Sequence, residues 1–130
     1  MAESYPEGLG YIREHDWALV ADGEATLGIT WYAQDTLGEV VHFEPPAAGD
    51  EIRAGGVYGE IESVKAVSPI NSPVDGEVIA VNEQLSTNLQ LLSDDPYQAG
   101  WMVKIRVQDG LSTDHLMDRT AYEAQCAQGG

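Results

Sequence analysis

A chain of 130 residues, 43% hydrophobic and 22% charged, has the size and composition of one soluble domain, large enough to fold without disulfides or a structural metal. Its 22 acidic and 6 basic side chains leave a formal charge of −16, which excludes nucleic acid and anionic membranes as partners because like charge repels. The single Cys126 excludes an internal disulfide, no stretch approaches the roughly 20 apolar residues of a membrane span, and Met1-Ala2-Glu3-Ser4 is unlike a signal or transit peptide, so a cytoplasmic protein is expected, with a processed mitochondrial form also compatible.

In chain order, strands are predicted at residues 11–20 and 24–29, separated by the turn pair Asp22-Gly23. A helix follows at 30–37, where Thr30 caps the N-terminus and Gly38 takes the left-handed position after the last turn. Strands at 38–43, 51–53, 56–64 and 76–81 come next, bounded by Pro45-Pro46, Gly49-Asp50, Gly55-Gly56 and Pro73 with Asp75-Gly76. Asn82 caps a second short helix, and a last strand at 101–107 ends at Asp109-Gly110. The tail, 111–130, reads as short helical turns capped by Thr113 or Thr120, with Leu116, Tyr122 and Cys126 facing inward and its last four residues frayed. The intervals are too short for crossover helices, so a barrel or sandwich is expected rather than βαβ units. Gly49-Asp50-Glu51-Ile52 and Asp75-Gly76-Glu77-Val78-Ile79 resemble each other on either side of Lys65, which hints at two half-units joined at a turn there.

The common catalytic signatures are missing: no Gly-x-Ser-x-Gly elbow, no phosphate-binding loop with its lysine, no paired-histidine zinc helix. His15, His42 and His115 are scattered, so no metal site is expected. Gly55-Gly56-Val57-Tyr58-Gly59 leads into a strand and serves turn or bulge geometry. Lysine is scarce, with only Lys65 and Lys104 in the chain. Lys65 ends a strand-like run and precedes the loop formers Pro69, Asn71, Ser72 and Pro73. Two readings stay open for it: an ordinary exposed hairpin lysine paired with Glu62 for well under 1 kcal/mol, or a protruding amine offered to an acylating enzyme.

The ordered set His15-Asp16-Trp17, Gly28-Ile29-Thr30, Tyr32-Ala33-Gln34, Leu37-Gly38-Glu39-Val40-Val41, Glu62-Ser63-Val64-Lys65-Ala66, Ser72-Pro73-Val74-Asp75-Gly76-Glu77-Val78, Val81-Asn82-Glu83, Asp95-Pro96-Tyr97 and Gly100-Trp101-Met102 resembles the glycine cleavage system H proteins over nearly the whole chain. Lipoyl domains of 2-oxo acid dehydrogenases differ in carrying Asp-Lys-Ala, and biotin carriers place Met on both sides of the lysine. The resemblance implies a mainly β fold, a flattened barrel-sandwich hybrid of the lipoyl-domain kind with short peripheral and C-terminal helices, in one domain spanning 1–130. It implies covalent lipoate on Lys65 within the recognition motif Glu62, Ser63, Val64 and Ala66. It implies no catalytic residue and no metal: the cofactor carries the chemistry, and the protein is its carrier. The expected partners are glycine decarboxylase with pyridoxal phosphate, aminomethyltransferase with tetrahydrofolate, dihydrolipoamide dehydrogenase, and a lipoate ligase or lipoyltransferase. Asp16 stands where the family has Glu, Pro69 where an acid is frequent, and Ser93 where Asn often precedes the Asp-Pro-Tyr run. Resemblance and chemistry together place an arm groove at Asp16, which would meet a protonated amine, with Ile29, Ala33 and Leu37 as its apolar lining. Service in lipoate relay or a related dehydrogenase, and an unmodified acidic β binding module, are the competing expectations.

Overall fold

The computed structural model describes residues 5–108 and 110–129, so the acidic start, Asp109 of the last predicted turn and Gly130 of the frayed end lie outside the described residues. Where one strand was expected at 11–20 there are two, β1 (Gly10–Tyr11) and β2 (Asp16–Ala21), antiparallel to each other. A tight turn divides them, closed by Ile12 N–H to the Asp16 carbonyl at 3.1 Å and His15 N–H to the Ile12 carbonyl at 3.0 Å. No glycine marks it: His15 itself takes the left-handed conformation, at φ 74°. Asp22 and Gly23, at φ 55° and 78°, then make the hairpin turn into β3 (Glu24–Ile29), since paired positive φ values match the twist of the strands they join.

Two sheets form. The larger has the order β1-β2-β3-β9-β8-β5, with β5 at Glu51–Ile52, β8 at Gly76–Val81 and β9 at Val103–Arg106. The smaller has the order β4-β6-β7, with β4 at Val40–Glu44, β6 at Val57–Ser63 and β7 at Val67–Asn71. The two similar sequence pieces meet directly: Glu51 pairs with Glu77 and Ile52 with Gly76. Strand β7 corrects the loop expected after Lys65. Pro69 argued against a strand, but β7 lies at a sheet edge, where a missing N–H costs no ladder bond.

Burial follows the pleat. On β2 and β3 the register pairs Ala18 with Leu27 and Val20 with Ala25, all turned toward one core that also holds Ile61 and Ile70 of the smaller sheet and Val78 and Ile105 of the larger. Trp17, on the opposite face, belongs to a second cluster with Tyr5, Tyr11 and Tyr122. Helix α1 (Trp31–Leu37) starts as expected, with the Thr30 hydroxyl accepting from Ala33 N–H and Gly38 following at φ 79°. Asn82 caps a 3₁₀ turn at Glu83–Ser86, and a short α2 (Leu91–Asp94) follows that had not been expected separately. The tail folds as α3 (Arg119–Ala127), capped by Asp118, whose carboxylate accepts from Ala121 N–H at 2.9 Å. Neither threonine caps it: Thr120 lies inside the first turn and Thr113 in the preceding turn. Tyr122 is buried, as expected, while Leu116 and Cys126 are half-buried.

Candidate functional site

Lys65 sits on the tight turn that joins β6 to β7. Ser63 N–H donates to the Ala66 carbonyl at 2.8 Å, which closes the turn. The Ser63 hydroxyl oxygen also accepts from Lys65 N–H at 3.3 Å and Ala66 N–H at 3.1 Å, and its proton reaches the Ala66 carbonyl at 3.2 Å. Ser63 is buried, whereas Glu62, Val64, Lys65 and Ala66 are exposed. The five motif residues therefore divide the work. Ser63 shapes the turn from within, and the others face outward for a partner to touch. Glu62 lies on the outer face of the smaller sheet, opposite His42 on one side and Val67 on the other.

The hairpin leans on the end of α1. Val64 N–H donates to the Glu39 carbonyl at 3.1 Å, and Lys65 Cε lies 3.9 Å from where a Cβ on Gly38 would stand. A cleft of about 550 Å³ opens there, with Val40, Leu89 and Leu92 as apolar lining and Gln34, Asp35, Glu39, Gln90 and Ser93 as polar lining. Gln34, Gly38, Glu39 and Val40 lie in the quoted motifs and Ser93 among the departures from the family pattern, but sequence reasoning did not assign them to a cleft. They come from two segments some fifty positions apart, and a backbone carbonyl such as that of Glu39 leaves no compositional trace.

Asp16 and Ile29 are register partners at the end of the β2–β3 ladder, turned into the core at 2% and 3% exposure. Ala33 and Leu37 of α1 are half-buried and pack against the same cluster as Ile29. Ile29, Ala33 and Leu37 thus share one cluster on the inner side of α1, Asp16 is buried with its carboxyl at the Asn71 backbone, and the open cleft lies on the Gln34, Asp35 and Gly38 side of the helix.

Burial pushes the Asp16 carboxyl well above its ordinary 3.8; the Asn71 backbone N–H it accepts from opposes this, and Glu14 adds to it. Next to it is Tyr58, whose buried hydroxyl has no hydrogen-bond partner among the described residues and is pushed up by burial and then by the charge of Asp16. A carboxyl raised by folding binds more protons in the native than in the unfolded chain. Its favourable contribution is therefore complete below the ordinary value and lost as pH rises through the folded one. Asp16→Asn should accordingly raise the urea midpoint at neutral pH, with a gain that shrinks toward pH 4. A gain that grew in acid would contradict this assignment.

A two-sheet sandwich with short peripheral helices and an exposed hairpin between β6 and β7 has the architecture of the lipoyl-domain class. Residues 9–129 match the family model described as Glycine cleavage H-protein. The chain is 45% identical over 124 residues to the glycine cleavage system H protein of Myxococcus xanthus, covering 95% of this chain and 96% of that one. It is 43% identical to the mitochondrial glycine cleavage system H protein of Oryza sativa subsp. indica, covering 94% of this chain and 74% of that one. A crystal structure of a glycine cleavage system H protein from Mycobacterium marinum matches with a TM-score of 0.86 at 29% identity, over 95% of this chain and 99% of that one. The chain belongs to the glycine cleavage H-protein family, and its role is that of the lipoyl carrier in the glycine cleavage system.

Proposed function

We propose that Lys65 carries lipoate through an amide on its Nζ and that the protein is a non-catalytic shuttle. The observation that carries this reading is the hairpin itself: an exposed lysine on a turn that buried Ser63 holds with three hydrogen bonds. The surroundings fit such a group, because the lysine stem points along Gly38 toward a cleft with both an apolar and a polar lining. Lipoate supplies a redox-active dithiolane that takes up a one-carbon amine unit and reducing equivalents.

The chain's own residues do three things in this reading. Ser63 and the Glu39 carbonyl keep the attachment point rigid, so an arm of about 14 Å starts from a defined place. Val40, Leu89 and Leu92 exclude water from a hydrocarbon stem lying in the cleft. Ala33 and Leu37 pack against the core cluster that holds Ile29, and Asp16 is buried, so an arm reaches the Asp16 carboxylate only through a local rearrangement. The charge of −16 steers docking toward basic surfaces on glycine decarboxylase, aminomethyltransferase, dihydrolipoamide dehydrogenase and the enzyme that attaches lipoate. Cytoplasmic residence belongs to the same proposal. No helix among the described residues is long and apolar enough to cross a membrane, and a relative is mitochondrial.

Intact-mass and peptide mass spectrometry of protein made with an active lipoate ligase tests the reading. One lipoyl amide per chain, located on Lys65, is expected. An unmodified chain, or the group on another residue, would sink it.

A further inference from the structure

The left-handed His15 has a consequence beyond the turn it closes. Positive φ strains a non-glycine residue, and such strain persists only where the surroundings over-determine it. They do so here. His15 N–H is held by the Ile12 carbonyl, and the His15 carbonyl accepts from Thr30 N–H at 3.0 Å. Held this way, the ring stacks on Tyr32 of α1 with centroids 4.4 Å apart, and its Nδ1 lies 2.6 Å from the hydroxyl of Tyr122 on α3. The same hydroxyl lies 2.7 Å from Thr30 Oγ1, the atom that caps α1 by accepting from Ala33 N–H at 3.3 Å. Tyr122 stacks on Tyr11 at 4.6 Å and meets Tyr5 edge-on at 5.1 Å, so its position is fixed.

One direction of donation satisfies every member of this chain. Ala33 N–H donates to Thr30 Oγ1, Thr30 donates to Tyr122 Oη, and Tyr122 donates to an unprotonated His15 Nδ1. If His15 gains a proton at Nδ1, Tyr122 loses that acceptor: its proton turns either to Thr30 Oγ1, which leaves the Thr30 proton without one, or to the Cys126 sulfur, a weaker acceptor. Thr30 and Tyr122 are both at 0% exposure, so water does not compensate.

We propose that His15, Tyr122 and Thr30 form an acid-sensitive latch through which the C-terminal helix α3 holds the start of α1 closed on the core cluster around Ile29. The titratable and charged groups around His15 are Glu14 and Asp16 on its own segment, Tyr11 on β1, Tyr32 on α1, and Tyr122 on α3, with Arg119, Glu123 and Cys126 along the same helix. Glu14 favours the charged ring, but burial outweighs it and holds His15 below its ordinary 6.5. A histidine lowered by folding contributes stability that is complete above that ordinary value and lost as pH falls through the folded one. The latch therefore tightens at neutral pH and loosens in acid. Its effect on the arm rests on the assignment of Lys65; the latch itself is a property of the unmodified chain and stands apart from that assignment.

Amide hydrogen exchange of the unmodified full chain, followed by NMR from about pH 7.5 to about pH 5 and corrected for intrinsic rates, tests it. In the parent, Ala33 protection should fall with the same midpoint as the His15 ring titration. Tyr122→Phe keeps the ring stack and removes the hydroxyl. Ala33 protection should then drop roughly tenfold at the upper pH, the equivalent of one buried hydrogen bond, and lose its acid dependence. His15→Asn keeps a residue that tolerates positive φ and removes the titration, so the acid dependence should disappear there too. Unchanged Ala33 protection in Tyr122→Phe, an acid response surviving in His15→Asn, or separate midpoints in the parent would each overturn the latch. Lipoylation of Lys65 is read separately by mass, so a failed latch and a failed attachment site are distinguishable.

Discussion

Lys65→Arg, produced with an active lipoate ligase, should be a folded protein that carries no lipoyl group and supports no glycine cleavage, whereas the parent gains one lipoyl amide per chain. Arginine keeps the positive charge but its guanidinium stays protonated and does not acylate, so the loss cannot be assigned to charge. Stability should change by less than about 0.5 kcal/mol, because the side chain is exposed and the turn is held by Ser63 and backbone groups that the substitution leaves in place. Lys104 does not substitute for it. That residue is half-buried in the interior of β9, between β3 and β8, with its Nζ 5.1 Å from the centroid of the Trp101 ring. An acylating enzyme needs an amine that protrudes, and Lys104 is held against the sheet. Lipoate on the Lys65→Arg protein, at Lys104 or elsewhere, would refute the assignment.

A large loss of stability is expected from Gly28→Ala. Gly28 lies opposite Trp17 in the β2–β3 ladder, and a Cβ there would stand 2.7 Å from Cε2, Cζ2 and Nε1 of the indole. The ring has no room to yield. It is 1% exposed, and its Nε1 donates to the Ile29 carbonyl at 3.0 Å and the Pro96 carbonyl at 3.2 Å. The cost should reach about 3 kcal/mol, the upper end for overpacking, which is a large share of the stability of a domain this size. Gly23→Ala is the control. Gly23 has φ 78° and nothing within 4 Å, so alanine there bears backbone strain alone, about 1–2 kcal/mol. Urea unfolding with an unchanged denaturant slope measures both. A Gly28→Ala protein no less stable than Gly23→Ala would show that the indole moves aside.

What the sequence determined by itself was what short-range chemistry decides. Thr30 and Gly38 bound α1, Asn82 caps the 3₁₀ turn, Asp22-Gly23 makes a hairpin, and β3 and β8 run over the residues expected, because caps and turns depend on groups a few positions apart. The ordered motifs around Glu62-Ser63-Val64-Lys65-Ala66 carried the family in the same way. Tertiary structure decided the rest. The turn that splits β1 from β2 exists because Ile12, Thr30 and Tyr122 hold His15 where its own preference would not, and β7 exists because an edge tolerates Pro69. The partner of the buried Asp16 carboxyl is the Asn71 backbone, more than fifty residues away, and the cleft beside Lys65 needs α1 and α2 brought together. Such contacts join distant segments, and neither spacing nor composition records which segments meet.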